Sequence, residues 1–420
     1  MRVLAYTSPA RGHLYPVTPI AAELVARGHD GHLYGLADEL PHLEPLGIAC
    51  SPIDPAIEAI EILDWQERSL RGAGMSALNT FARRSPREAP DLARAIERHE
   101  PEMLVIDINC WGAATVAEAS GLPWAMFAPF LLPLRSRDAP PFGLGLRRRS
   151  GPAGAIRDAL IRRMVGASWD RMAMPTIGRL RAEHGLPTLA HFDDLLARPP
   201  LLLSLTAEGF EYPRGDWPAN VRLVGAVNWS PPQPAPAWLD DLSDPLVLVT
   251  CSTERQRDKR LLHVALEALP ANGIAVLGTT AAHDPGVFHA PPGSRVVRFV
   301  AHEPILERAV CVVCHGGMGI TKKSLAAGIP VVVVPFGRDQ LETARRVEFA
   351  RAGVRLSPRR LTPERLSRAV SEAIGMREGA QRVSRAYAVA GGARAAADAI
   401  EALASDRGAR RAQDARPEHL

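Results

Sequence analysis

CHGGMGITKKSLAAGIPVVVVPFGRDQ, Cys314 to Gln340, decides how the rest of the chain is read. It opens at the end of an apolar run, Ala309 to Cys314, with the composition of a buried strand. His315 stands where that run ends. Gly316, Gly317 and Gly319 crowd the turn after it, with Met318 between them. A helical stretch, a second apolar run (Val331 to Val334) and the pair Asp339-Gln340 follow. A strand ending in glycines that open a helix is a common way to hold phosphate. Backbone N–H groups reach the anion only where side chains are missing, and the helix N-terminus adds positive potential. His315 can donate one more hydrogen bond. An acid beside an amide, on the rim of the next strand, suits a polyhydroxylated ligand, because each side chain can grip a pair of hydroxyls.

Working outward, the pattern repeats. In the second half, strands are predicted at Leu246–Cys251, Ile274–Gly278, Arg295–Val300, Ala309–Cys314, Pro330–Val334 and Val354–Leu356, with helices between. The first half opens on the strand RVLAYT, and SPARGHLYP reads as a loop. A helix is predicted from about Pro16 to Arg27, with Pro16 and Pro19 in its first turn, where a missing N–H costs little. Further strands are predicted at His32–Leu36, Ile48–Ile53, Met103–Asp107, Trp124–Ala128, Leu201–Leu205 and Arg222–Gly225. Strands alternating with helices mean parallel sheets covered on both faces. The fold class is therefore α/β: two doubly wound, Rossmann-like parallel-sheet domains facing a cleft. Residues 1–227 form the first domain and 239–404 the second. The proline-rich NWSPPQPAPAW, residues 228–238, is a stiff link between them. One long closing helix is predicted from Glu378 to Ala404. The polar tail, residues 405–420, is expected to be disordered.

The 420 residues carry 46% hydrophobic and 23% charged side chains, an ordinary globular balance, so no special class is called for. A net charge of +4 over this length gives no argument for nucleic acid. Arg147-Arg148-Arg149 and Arg410-Arg411 are short and lack interleaved aromatics, so both read as solvated surface. No apolar run reaches the ~18 residues of a membrane helix, and the N-terminal apolar run is too short for a signal peptide. These point to a cytoplasmic protein. Cys311-x-x-Cys314 lies inside a strand, where residues three apart face opposite ways, and no second pair completes a zinc site. The five cysteines are read as buried, reduced thiols. No His/Asp/Glu cluster has ligand spacing, and no metal is expected.

Taken together, the GHLYP loop, the two doubly wound halves and HGGMG…PFGRDQ resemble the nucleotide-sugar-dependent glycosyltransferases of the GT-B fold. The nearest likeness is to their bacterial antibiotic branch, macrolide and enediyne type. The resemblance covers nearly the whole chain to about Ala404. It implies that His13, in RGHLYP, is the catalytic base for the acceptor hydroxyl, and that Asp107, ending MLVID, orients it. An imidazole near its ordinary pKa suits a general base, and a carboxylate partner sets its tautomer. On the donor side it implies that His315, Gly316, Gly317, Met318 and Gly319 cradle a diphosphate, with Thr321 substituting for a hydroxyl residue usual at Ile320. Asp339 and Gln340 would grip the sugar. Backbone at Val300 would pair with the base, and Ser252 and Thr253 would lie beneath the diphosphate. Lys323 replaces a glutamate that often holds the ribose, and Ser252 replaces a usual glycine. The lost carboxylate favours a dTDP-deoxysugar as donor, with a UDP-sugar as the other candidate.

No tightly bound cofactor is implied. The partners expected are the donor and a small acceptor, an apolar or aromatic aglycone, with a homodimer allowed. Trp65, Phe130, Leu131, Leu132 and Phe142, with Pro140 and Pro141, are the candidate acceptor-pocket residues. Two alternatives stand beside the transferase: a non-catalytic or auxiliary homologue, motivated by Ile320 and Lys323, and a nucleotide-sugar epimerase, which shares the two-domain fold. A dehydrogenase is disfavoured, because neither candidate turn gives G-x-G-x-x-G after its strand.

Overall fold

The computed structural model describes residues 1–67 and 69–414. The first sheet has seven strands: β1 (Arg2–Tyr6), β2 (Asp30–Gly35), β3 (Ala49–Pro52), β4 (Met103–Asp107), β5 (Trp124–Ala128), β6 (Leu201–Ser204) and β7 (Val221–Leu223). The second has six: β8 (Leu246–Thr250), β9 (Ala275–Thr279), β10 (Arg295–Val297), β11 (Ala309–Cys314), β12 (Val331–Val333) and β13 (Gly353–Arg355). The α-helices of the first half are α1 (Arg11–Ala26), α2 (Pro55–Glu58), α3 (Leu70–His99), α4 (Trp111–Ala119), α5 (Pro152–Glu183) and α6 (Phe192–Leu196). Those of the second are α7 (Lys259–Ala268), α8 (Glu303–Arg308), α9 (Met318–Ala326), α10 (Gln340–Phe349), α11 (Pro363–Ile374), α12 (Arg377–Val389) and α13 (Gly392–Asp414).

Every predicted strand is present, within a few residues at its ends. All pairings are parallel, in the orders β3-β2-β1-β4-β5-β6-β7 and β10-β9-β8-β11-β12-β13. In each sheet the order reverses beside a central strand, between β1 and β4 and between β8 and β11. A crevice opens there at the carboxyl ends of the strands, where ligands of such sheets bind. Tyr6 pairs with Ile106 at the first switch point, and Thr250 with Cys314 at the second.

Both faces of each sheet are buried. Tyr6, Leu104 and Ile106 face α3 and α4; Val3, Ala5 and Val105 face α1. Cys311 and Cys314 enter different cores on opposite faces of β11, so the apparent Cys-x-x-Cys is strand alternation. All five cysteines are free. Among the described residues no helix is long and apolar enough to cross a membrane.

Three expectations need correction. The helix predicted from Pro16 starts at Arg11, so His13 sits in a first helical turn and not in a loop. His13 N–H and Leu14 N–H both reach Ala10 C=O, which starts the helix ahead of the prolines. Pro16 and Pro19 therefore lie inside it, each costing one backbone bond. The single closing helix is two. Gly391 and Gly392 take φ of +88° and +60°, a left-handed break that ends α12 and redirects the chain. After the break, Ala396, Ala397 and Ile400 of α13 pack with Leu14, Val17 and Ile20 in the first half's core. Finally, the tail expected to be disordered from 405 is helical to Asp414, and 415–420 lie outside the described residues, as do the side chains of Arg410 and Arg411.

Candidate active site

A cavity of about 830 Å³ lies between the two carboxyl-end crevices and is lined from both halves. On the first half, β4 delivers Asp107 and the start of α1 delivers His13. His13 Nδ1 lies 2.8 Å from Asp107 Oδ2 and 3.0 Å from Oδ1. The carboxylate is fully buried. It also accepts from Ser8 N–H (3.0 Å), Ser8 Oγ–H (2.8 Å) and Asn109 N–H (2.9 Å). Burial alone would raise its pKa, but His13 and these donors outweigh it and hold Asp107 below the usual carboxylate range. With Asp107 on Nδ1, the imidazole turns Nε2 to the cavity side, 3.3 Å from Asn109 Nδ2, and its ring meets the edge of Phe130 at 5.8 Å.

On the second half, His315 follows β11 and Gly317 caps α9. Gly316 has φ of +93°, and a Cβ there would come within 2.6 Å of Val333 Cγ1, so only glycine makes this turn. A Cβ on Gly317 would sit 2.4 Å from His315 Nε2. At Gly319 a Cβ would meet nothing within 4 Å: the glycine borders open cavity. His315 is buried, and its Nδ1 has no partner among the described residues. The other ring nitrogen, Nε2, lies beside the bare Gly317 backbone at the start of α9, an arrangement that fits an anion. Ser252, Thr253, His315, Gly317, Met318, Gly319, Asp339 and Gln340 all line the cavity with His13. Asp339 makes no capping bond with its side chain, and burial raises its pKa against the opposing pull of Arg338 and His13. It lines the same cavity as His13.

Other expected residues are placed differently. The Thr321 hydroxyl donates to Gly317 C=O at 2.9 Å and is buried against Cys314, so it braces α9 and does not meet the cavity. Val300 lies beyond β10 with its side chain in the second core; Phe299 and His302 line the cavity at that point. Gln340 Oε1 accepts from Phe336 and Gly337 N–H (2.8 and 3.1 Å), and its Nε2 donates to Gln256. The amide is thus largely spent on bracing its own loop. Lys323 lines the cavity, paired with Glu303 at 3.0 Å and bonded to Ser230 of the link.

Of the candidate acceptor residues, Trp65, Phe130 and Phe142 line the cavity, whereas Leu131 and Leu132 are fully buried core. Sequence reading missed the rest of the wall. Phe81, Trp111, Phe192 and Trp169, joined by the expected Phe142, form a chain of edge-to-face rings with centroids 5.1–6.1 Å apart. The four missed rings come from α3, α4, α6 and α5, positions that look like ordinary helix cores in one dimension. Also missed was a buried trio: the donor atoms of Cys251, Asp258 and His283 lie within 4.8 Å of one another. Both Asp258 oxygens are occupied, by His283 Nε2 (2.7 Å) and Ser252 N–H (2.6 Å), so Asp258 and His283 staple the loop after β8.

Known proteins match this chain in sequence and in fold. Residues 265–402 match the family described as erythromycin biosynthesis protein CIII-like, C-terminal domain. Over 424 aligned residues, spanning 96% of this chain and 99% of the relative, the chain is 33% identical to 4'-demethylrebeccamycin synthase of Lentzea aerocolonigenes. A PGL/p-HBAD biosynthesis rhamnosyltransferase of Mycobacterium bovis is 35% identical over 175 residues, 41% of this chain and 38% of that one. Among solved structures, the spinosyn rhamnosyltransferase complexed with spinosyn aglycone superposes with a TM-score of 0.72 at 19% identity, covering 96% of this chain and all of that one. The glycosyltransferase VinC in complex with dTDP gives 0.69 at 20% identity, covering 97% and 100%. The chain belongs to the GT-B glycosyltransferases of antibiotic biosynthesis. It is a glycosyltransferase.

Proposed function

We propose that this enzyme is an inverting glycosyltransferase that moves a sugar from a nucleotide donor to a hydroxyl of a small apolar or aromatic acceptor. The observation that carries the reading is the Asp107–His13 pair at 2.8 Å, opening on the same cavity as the glycine turn after His315. His13 Nε2 takes the acceptor's hydroxyl proton, and Asp107 holds the tautomer and offsets the charge that forms on the ring. The acceptor oxygen bonds to the anomeric carbon as the bond from that carbon to the diphosphate oxygen breaks. Attack from the opposite face inverts the centre, and the nucleoside diphosphate leaves. The Gly317–Gly319 backbone, the start of α9 and His315 stabilise the diphosphate. Asp339 holds sugar hydroxyls.

A dTDP-sugar is the favoured donor. Lys323 is committed to Glu303 and Ser230 at the position where a carboxylate would grip ribose hydroxyls. The dTDP bound in the superposable VinC structure is in keeping with that reading. The test is direct. Wild-type enzyme given a dTDP-sugar and a hydroxylated polycyclic acceptor should release dTDP and a glycoside of inverted anomeric configuration. His13→Ala should cut turnover by roughly 10²–10⁴-fold with dTDP affinity nearly unchanged. Retained configuration, or normal turnover in His13→Ala, would overturn the mechanism. UDP binding about tenfold tighter than dTDP would overturn the donor assignment alone.

A further inference from the structure

Four arginines are buried among the described residues: Arg84, Arg181, Arg214 and Arg346. Three have carboxylate partners. Arg181 pairs with Glu118 at 2.6 Å, Arg214 with Glu211 at 3.4 Å, and Arg346 with Glu211 and Glu342 at 2.8 and 2.6 Å. Arg84 is the exception. It stands on α3, 4% exposed, in the wall of the cavity. Its Nε and Nη2 both donate to one neutral acceptor, Ile60 C=O, at 3.0 and 2.5 Å. No described carboxylate makes an ion pair with it.

The nearest acid along α3 is Glu88, one helical turn further on. It is fully buried, accepts from Gly112 N–H at 3.0 Å, and leaves its other oxygen unpartnered. Burial pushes its pKa up to about 8, which keeps it protonated at neutral pH. Of the cavity's other acids, Glu61 is exposed, Glu58 accepts from Ala37 N–H, and Glu254 and Asp339 come from the second half; Glu254 and the buried Asp107 act on Arg84 only through space, with no ion-pair contact. A buried cation without a contacting counter-charge is costly, and proteins keep such groups where something else neutralises them. Here the open side of that cation is the acceptor end of the cavity, one turn from Phe81 and its chain of edge-to-face rings.

We infer that the acceptor is a planar aromatic molecule bearing an anionic or strongly polarised carbonyl oxygen, and that Arg84 takes that oxygen while the hydroxyl to be glycosylated lies at His13. The inference rests on the glycosyltransferase site proposed above. The guanidinium's planar fork suits an oxygen held in the plane of an aromatic ring system, and a charge-assisted bond in a dry site discriminates more strongly than a neutral one.

Matched probes test it: 2-naphthol, 6-hydroxy-2-naphthoate and 6-hydroxy-2-naphthamide, titrated into the enzyme saturated with dTDP. The oxygen-bearing probes should bind wild type about tenfold or more tighter than 2-naphthol. A preference for the naphthoate alone identifies an anion, and one shared by the amide identifies a carbonyl. Arg84→Met should bring all three probes within about twofold of each other while dTDP affinity stays as in wild type. Arg84→Gln, which still reaches Ile60 C=O, makes the same comparison if Arg84→Met does not fold. Equal binding of the three probes by wild type, or a preference that survives both substitutions, overturns the inference. Failure of wild type to bind dTDP would instead strike the functional reading itself.

Discussion

Arg338 of the second half grips Asp64 of the first with two hydrogen bonds, Nε to Oδ2 at 2.5 Å and Nη2 to Oδ1 at 2.7 Å. Arg338 holds φ of +53°, an uncommon conformation for a residue other than glycine, immediately before the cavity-lining Asp339. A second rung joins Arg257 to Gln66 C=O at 3.2 Å. Trp65, between the two rungs, lines the cavity. The clasp therefore ties the cavity wall of the first half at Trp65 to the loop of the second that carries Asp339.

Breaking the clasp should be felt mainly by the acceptor. Asp64→Ala and Arg338→Ala are each expected to raise acceptor KM. The double variant should cost less than the sum of the two, with a coupling of about 1–3 kcal/mol. A double-mutant cycle on kcat/KM measures this, and strictly additive effects would show that the bridge does not position the wall.

Asp107→Asn should keep the fold and lower turnover by roughly 10²–10⁴-fold, because His13 loses the partner that sets its tautomer and offsets its charge. The pH sign follows from the depressed pKa of Asp107. Its stabilising contribution is present above the unfolded value of about 4 and is lost as pH falls through the lower folded value. Thermal melts in that acid range should therefore fall more steeply for wild type than for Asp107→Asn. Parallel curves would mean the carboxylate adds no folded-state stability.

Gly317→Val should abolish nucleotide binding. A side chain at this position would occupy the phosphate's place. The structure adds a nearer obstacle, His315 Nε2 at 2.4 Å from the new Cβ. Calorimetry with dTDP decides it, and undiminished affinity would remove this turn from the donor site. Chelation should leave activity intact if the helix start and amides carry the charge; loss with EDTA and recovery with Mg²⁺ would contradict that.

Glu88→Gln should stabilise the protein at alkaline pH. With its folded pKa raised to about 8, Glu88 contributes stability that is full below its unfolded value of about 4.3 and declines as pH rises through about 8. The amide cannot ionise, so the variant should melt higher than wild type at pH 8 and alike at pH 4. Identical melting at both values would place a charged, compensated carboxylate there instead.

All thirteen strands were readable because a parallel strand covered on both faces must be apolar throughout, and the turns between carry their own punctuation. The positions of Asp107 and His315 were legible for a related reason: Asp107 ends β4 and His315 directly follows β11, at the carboxyl ends where this architecture opens its crevice. The start of α1 was misread because proline's local penalty was weighed without the backbone bonds to Ala10, and the split of the closing helix turned on a left-handed Gly391-Gly392 break that helical periodicity spans without a mark.

By itself, then, the sequence determined the two parallel sheets and the motifs at their strand ends. Only the tertiary structure decided which polar groups are free to meet a ligand. Thr321 and Gln340 look available in one dimension, yet packing spends one on Gly317 C=O and the other on its own loop. Arg84 looks like one of many surface arginines, and becomes notable only because folding buries it while Glu88 stays protonated. The physical reason is the same in each case. Strand and helix patterns are written by nearest neighbours along the chain, whereas hydrogen-bond satisfaction and desolvation depend on groups brought together from distant positions, as with Arg338 and Asp64.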